Sequence, residues 1–103
     1  MGEFIRVGKK SELSESAGTL VNIGEKKIAL FKIRGQVYAL DDACSHSGGP
    51  LSQGEVHNEE VVCPWHNGRF NICTGAAMDM PAETPVSTYK VHCLGDDILV
   101  EVE

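Results

Sequence analysis

The sequence predicts an all-β protein of antiparallel sheets, with a small β subdomain inserted into a larger sheet assembly. Three observations predict it. Runs rich in apolar and β-branched residues recur along the chain, among them Thr19–Ile23, Lys26–Ile33 and residues 37–40 and 98–102. Glycine or charged turns separate them, such as Gly24-Glu25 and Arg34-Gly35-Gln36, which is hairpin spacing. Two short stretches that each carry one cysteine and one histidine flank a further hairpin pattern in the middle of the chain.

Residues 4–7 open the chain as a short strand. Residues 10–18 are polar, with Ser11, Ser14 and Ser16, and fit a loop or one helical turn. The strands 19–23, 26–33 and 37–40 follow as a meander of scaffold without chemistry of its own. Asp41-Asp42-Ala43 leads into the first Cys/His stretch. Residues 54–57, the turn Asn58-Glu59-Glu60 and residues 61–63 read as a hairpin that delivers the second. His57, beside Asn58, is expected as an exposed turn residue. Residues 70–73 read as the strand leaving the site, with Thr74-Gly75 as its turn. Residues 76–85 are irregular, since Pro81 and Pro85 resist strand pairing. Residues 86–93, the turn 94–97 and residues 98–102 form a closing hairpin in which His92 faces outward.

The chemistry concentrates in Cys44-Ser-His46 and Cys63-Pro-Trp-His66, separated by residues 47–62. Each offers a soft thiolate and an imidazole, so four ligands in two matched pairs ask for a metal centre. Zinc takes two Cys and two His, but finger spacing groups a Cys pair and then a His pair. With mixed loops facing each other, the thiolates can gather at one end and the imidazoles at the other. That suits a two-iron cluster whose inner iron binds thiolates and whose outer iron binds imidazoles. Gly48, Gly49 and Gly68 let backbone come close to such a group.

From residue 4 to residue 102 the chain resembles the Rieske family, and specifically its small soluble ferredoxins. The resemblance rests on C-S-H-S-G-G-P-L and C-P-W-H-N-G-R-F. It implies a Rieske-like antiparallel sandwich as one domain over 1–103, with a cluster-binding subdomain at about 42–83. It implies one [2Fe–2S] cluster, with Cys44 and Cys63 on one iron and His46 and His66 on the other. A proline loop in the family covers the cluster from a third side, and Pro81 matches it. The respiratory branch carries a disulfide between its two loops; the matching residues here are Gly49 and Trp65. That branch also has serine and tyrosine hydroxyls that donate to the cluster, where this chain has Gly68 and Phe70. Without those donors the potential is expected at the low end of the Rieske range.

Two ferric ions, two sulfides and two thiolates sum to zero charge, so adding an electron is easier than at an all-cysteine cluster. The chain has 103 residues, which leaves no room for the second domain of a ring-hydroxylating oxygenase. Beyond His46 and His66 there remain only His57 and His92. The expectation is therefore an electron carrier and no enzyme, taking one electron from a flavin-dependent reductase and passing it to an oxygenase-type acceptor. The alternatives are a small Rieske-like subunit of a nitrite reductase and a structural zinc domain.

A formal net charge of −6 argues against nucleic acid as a partner. It either steers docking onto a basic partner or merely keeps the protein soluble. The first ten residues contain no apolar run of signal or membrane length, so a soluble, cytoplasmic protein is expected. Cys73 and Cys93 lie in strand-like runs and are expected as small buried apolar side chains. Met78 and Met80 are expected to fill core, with a docking rim as the other reading. Trp65 either shields the cluster from water or simply packs. Arg69 either pairs with a nearby carboxylate or meets a partner.

Overall fold

The computed structural model describes residues 2–43, 49–65, 68–78 and 85–102. Its strands are β1 (Glu3–Lys9), β2 (Thr19–Ile23), β3 (Lys26–Ile33), β4 (Gln36–Asp41) and β5 (Glu55–His57). The others are β6 (Glu60–Val62), β7 (Arg69–Asn71), β8 (Thr88–Tyr89), β9 (Val91–Leu94) and β10 (Asp97–Val102). Among the described residues they form three antiparallel sheets, ordered β1-β10-β9, β2-β3-β4-β8 and β5-β6-β7. The expected all-β antiparallel architecture is what the structure has.

The layering follows from β3. Its run Ile-Ala-Leu-Phe-Lys-Ile is nearly continuous in apolar residues, the pattern of a strand buried on both faces. Ile28 and Leu30 face one core, with Val37, Ala39, Ile98 and Val100. Ala29, Phe31 and Ile33 face a second core, with Leu40, Leu51, Val61, Cys63, Phe70 and Ile72. Sheet β2-β3-β4-β8 is thus the middle layer, between the sheet that joins the two ends of the chain and the small sheet. Fully burying one such side chain stabilises by roughly 1.5–3 kcal/mol, and Phe31 and Phe70 are 1% and 0% exposed.

Several strands end elsewhere than the sequence suggests. The strand after the second ligand stretch stops at Asn71, not Cys73, because the Asn71 Oδ1 accepts the N–H groups of Cys73 (2.8 Å) and Thr74 (3.0 Å). That local bond folds the chain into a turn. The closing strand divides at Lys90. Thr88 and Tyr89 pair with β4, whereas β9 pairs with β10. The polar segment before β2 holds one 3-10 turn, Lys10–Glu12. Gly24, at the β2–β3 turn, has φ 61°, which suits glycine.

Candidate metal centre

Cys63 follows β6 directly and is completely buried, in the core that the middle and small sheets share. Its backbone N–H donates to the Gly68 carbonyl at 2.7 Å. This bond closes the second stretch at its root on the hairpin formed by β6 and β7. The first stretch is closed differently. Asp42 directly follows β4, and its carbonyl accepts the Leu51 N–H at 2.6 Å while its carboxylate Oδ1 accepts the Ser52 N–H at 2.8 Å. Ala43 and Pro50 add an antiparallel bridge. The two stretches meet at Gly49. A Cβ placed there would lie 2.9 Å from the Cys63 Sγ and 2.9 Å from the Trp65 Cγ, so the close approach needs glycine.

Of the four expected ligands, Cys63 is described; Cys44, His46 and His66 lie outside the described residues, as do Pro81 and Met80. The described part fits a two-iron cluster. One soft donor sits in a dry, apolar setting, both ligand stretches are closed at their roots, and they touch at a glycine. The contact of Gly49 with Trp65 also puts side by side the two positions that carry a disulfide in the respiratory branch. Phe70 is fully buried, and neither it nor Gly68 brings a hydroxyl.

Around this centre Trp65 is 60% exposed and Met78 44%. Met78 is therefore not core filling, contrary to expectation. Its backbone N–H donates to the Arg69 carbonyl at 2.8 Å, which holds it beside β7 with its side chain facing solvent. Trp65 and Pro50 line a cleft of about 560 Å³ that reaches Lys26, Lys27 and Asp41. Arg69 pairs with Glu60 at 3.3 Å. Exposed His57 contacts Glu55 at 3.0 Å, and exposed His92 meets Phe4 edge to face.

The other cysteines depart in part from expectation. Cys93 is half-buried and packs on the outer sandwich core. Cys73 is half-buried but polar in its contacts, donating to Glu59 Oε1 at 3.5 Å with the Tyr38 hydroxyl as a second polar neighbour. Burial pushes its thiol pKa up despite the tyrosine, which makes it a poor nucleophile. Glu59 in turn pairs with Arg34 at 3.1 Å, so one network ties the small sheet to the turn between β3 and β4. Two further groups escaped the sequence reading. Tyr89 donates to Asp41 at 2.5 Å, and Asp42 is a buried carboxylate. An aspartate pair in a presumed loop carries no signal of either.

Comparison with known proteins agrees with this geometry. The family model for the Rieske [2Fe–2S] domain matches residues 3–90. The ferredoxin component of the naphthalene 1,2-dioxygenase system of Pseudomonas putida is 36% identical over 100 residues, 97% of this chain and 96% of that protein. The ferredoxin of carbazole 1,9a-dioxygenase from Nocardioides aromaticivorans superposes with a TM-score of 0.89 at 33% identity, over 94% of this chain and 95% of that one. A ferredoxin chain in a complex of reduced oxygenase and oxidized ferredoxin of carbazole 1,9a-dioxygenase gives a TM-score of 0.88 at 28% identity, over 94% and 91%. A proposed small subunit of an NADH-dependent nitrite reductase from Mycobacterium tuberculosis shares the fold, with a TM-score of 0.87 at 22% identity over 100% and 97%.

Proposed function

From the premise that this chain belongs to the Rieske [2Fe–2S] domain family, whose cluster and electron-carrying role it shares, we propose that Cys44 and Cys63 bind one iron and His46 and His66 the other. The observation that carries this reading is the Gly49 contact, which brings the first ligand stretch against the Cys63 Sγ. Residues 42–83 act as the cluster-binding subdomain of a single domain. When bound, the cluster supplies reversible one-electron chemistry.

The chain's own residues do the rest. Val61, Phe70 and Leu51 exclude water from the Cys63 side. The closures at Asp42 and at Gly68 fix the described ends of the two ligand stretches. Trp65 and Met78 present apolar surface to a partner. A flavin-dependent reductase is the donor and a terminal oxygenase the acceptor, in the cytoplasm. Among the described residues no helix is long and apolar enough to cross a membrane.

The test is electron delivery. Chemically reduced protein mixed with a terminal oxygenase of the naphthalene or carbazole type should be reoxidised in a salt-dependent reaction, because the acidic chain is steered to its partner. Co-purification with a large haem enzyme and no transfer to any oxygenase would contradict this acceptor. A redox titration should give a potential near the low end of the roughly −150 to +300 mV Rieske range. A value among the respiratory proteins would overturn the account of the missing donors.

A further inference from the structure

We propose that the Asp42 carboxylate both positions the first ligand loop and sets the potential of the cluster, its charge making the reduced state harder to reach. The inference rests on the ligand assignment above. Asp42 is 5% exposed, and with Ser52 it makes up the buried polar and charged residues among those described. It is held from two sides. Its own N–H donates to the Lys27 carbonyl at 3.0 Å, while its carbonyl and Oδ1 accept the Leu51 and Ser52 N–H groups. One residue thus joins the start of β3 to both ends of the loop that carries Cys44 and His46.

Asp42 is also tied to the proposed ligand set by the chain itself. Cys44 is two residues on, and two peptide units span at most about 7 Å. The ion pairs among the described residues lie elsewhere, on Arg6, Arg34, His57 and Arg69, and no described cation pairs with this carboxylate. Burying a charge without a counter-charge is costly. Loop closure does not demand it, since an asparagine would offer the same acceptor oxygen to the Ser52 N–H. What the carboxylate adds over the amide is negative charge, on a side chain almost wholly withdrawn from water and two residues before Cys44, although Lys26 and Lys27 line the same cleft. Such a charge opposes reduction.

The experiment compares the wild-type holoprotein with Asp42→Asn, Asp42→Ala and, as a distant control, Asp96→Asn in the exposed turn between β9 and β10. Potential, iron and acid-labile sulfide, and hydrogen exchange of the Ser52 amide are measured on each. Asp42→Asn should keep iron and sulfide and slow Ser52 exchange. It should also favour the reduced form by roughly three- to tenfold, an upward shift of about 30–60 mV at 59 mV per tenfold for one electron. Asp42→Ala should free the Ser52 amide to exchange and lose iron faster. Asp96→Asn should leave the potential where it was. An Asp42→Asn potential equal to wild type, or a shift matched by Asp96→Asn, overturns the role of the charge. Slow Ser52 exchange in Asp42→Ala overturns the positioning role. Absence of iron and sulfide from the wild type would instead strike the ligand assignment itself.

Discussion

The two ligand stretches carry nearly the same chemistry, yet the fold holds them in different ways. The second is the end of a hairpin. Strands β6 and β7 pair in register up to Val62 and Arg69, and a backbone bond from Cys63 to Gly68 finishes the closure. The first has only a single bridge, Ala43 with Pro50, and one backbone bond, from the Leu51 N–H to the Asp42 carbonyl, and to these it adds a side chain, the buried Asp42 carboxylate, reaching across to Ser52. Backbone closure is insensitive to which side chains occupy the strands, whereas a side-chain closure depends on one residue. The second stretch should therefore respond to changes that move backbone, and the first to those and also to changes at a single polar side chain.

The largest effect is expected at Cys63, the described member of the proposed ligand set. Cys63→Ser should abolish the visible absorbance and the bound iron, since a hydroxyl is a poor substitute for thiolate in an iron–sulfur site; an intact spectrum would remove Cys63 from the ligand set. Next comes the backbone beneath the second stretch. A Cβ at Gly54 would overlap the carbonyl of Val62, the residue before Cys63. Gly54→Ala should cost about 1–3 kcal/mol, as overpacked sites do, read as a fall of roughly 4–8 °C in Tm per kcal/mol. An unchanged Tm would show that the hairpin yields more easily than its bonding suggests. Gly49→Ala probes the meeting point. Its new methyl carbon must displace the Trp65 ring or the Cys63 sulfur, so cluster loss on standing in air should quicken even where Tm falls by less than in Gly54→Ala.

The smallest effect lies away from the cluster, where β8 crosses to β4. Burial, and then the bond to Asp41, push the Tyr89 hydroxyl up to about 12 from 10. A raised folded-state pKa means that the contribution is fully present below the unfolded value near 10 and is lost as pH rises through 12. The stability difference between wild type and Tyr89→Phe should hold steady from pH 7 to 9 and shrink above 10. A difference independent of pH would show that Asp41 does not engage the hydroxyl.

The same contrast explains what the sequence made legible. Strands β2 and β3 were readable to the residue, because an unbroken apolar run between short glycine turns has few other uses. The proposed ligand set comes from the sequence alone, because cysteine and histidine in mixed pairs have few other reasons to stand at that spacing, and of the four only Cys63 is described. What escaped depends on contacts distant in sequence or on one local bond. Asp42 reads only as part of the lead into the first stretch until Leu51 and Ser52 are folded over it. Asn71 ends its strand through its own side chain, and Met78 looks like core until the chain is seen to turn it outward beside β7. Cys73 was read as a small hydrophobe, but Glu59 and Tyr38 are brought to it by the meeting of two sheets.

The most direct test of the central claim is the iron and acid-labile sulfide content of the wild-type protein purified without air, with its visible spectrum. A Rieske centre on Cys44, His46, Cys63 and His66 predicts about two irons and two sulfides per chain in a red-brown protein. A colourless protein with one zinc and no sulfide would contradict it, leaving the fold intact and the electron-transfer account without its centre.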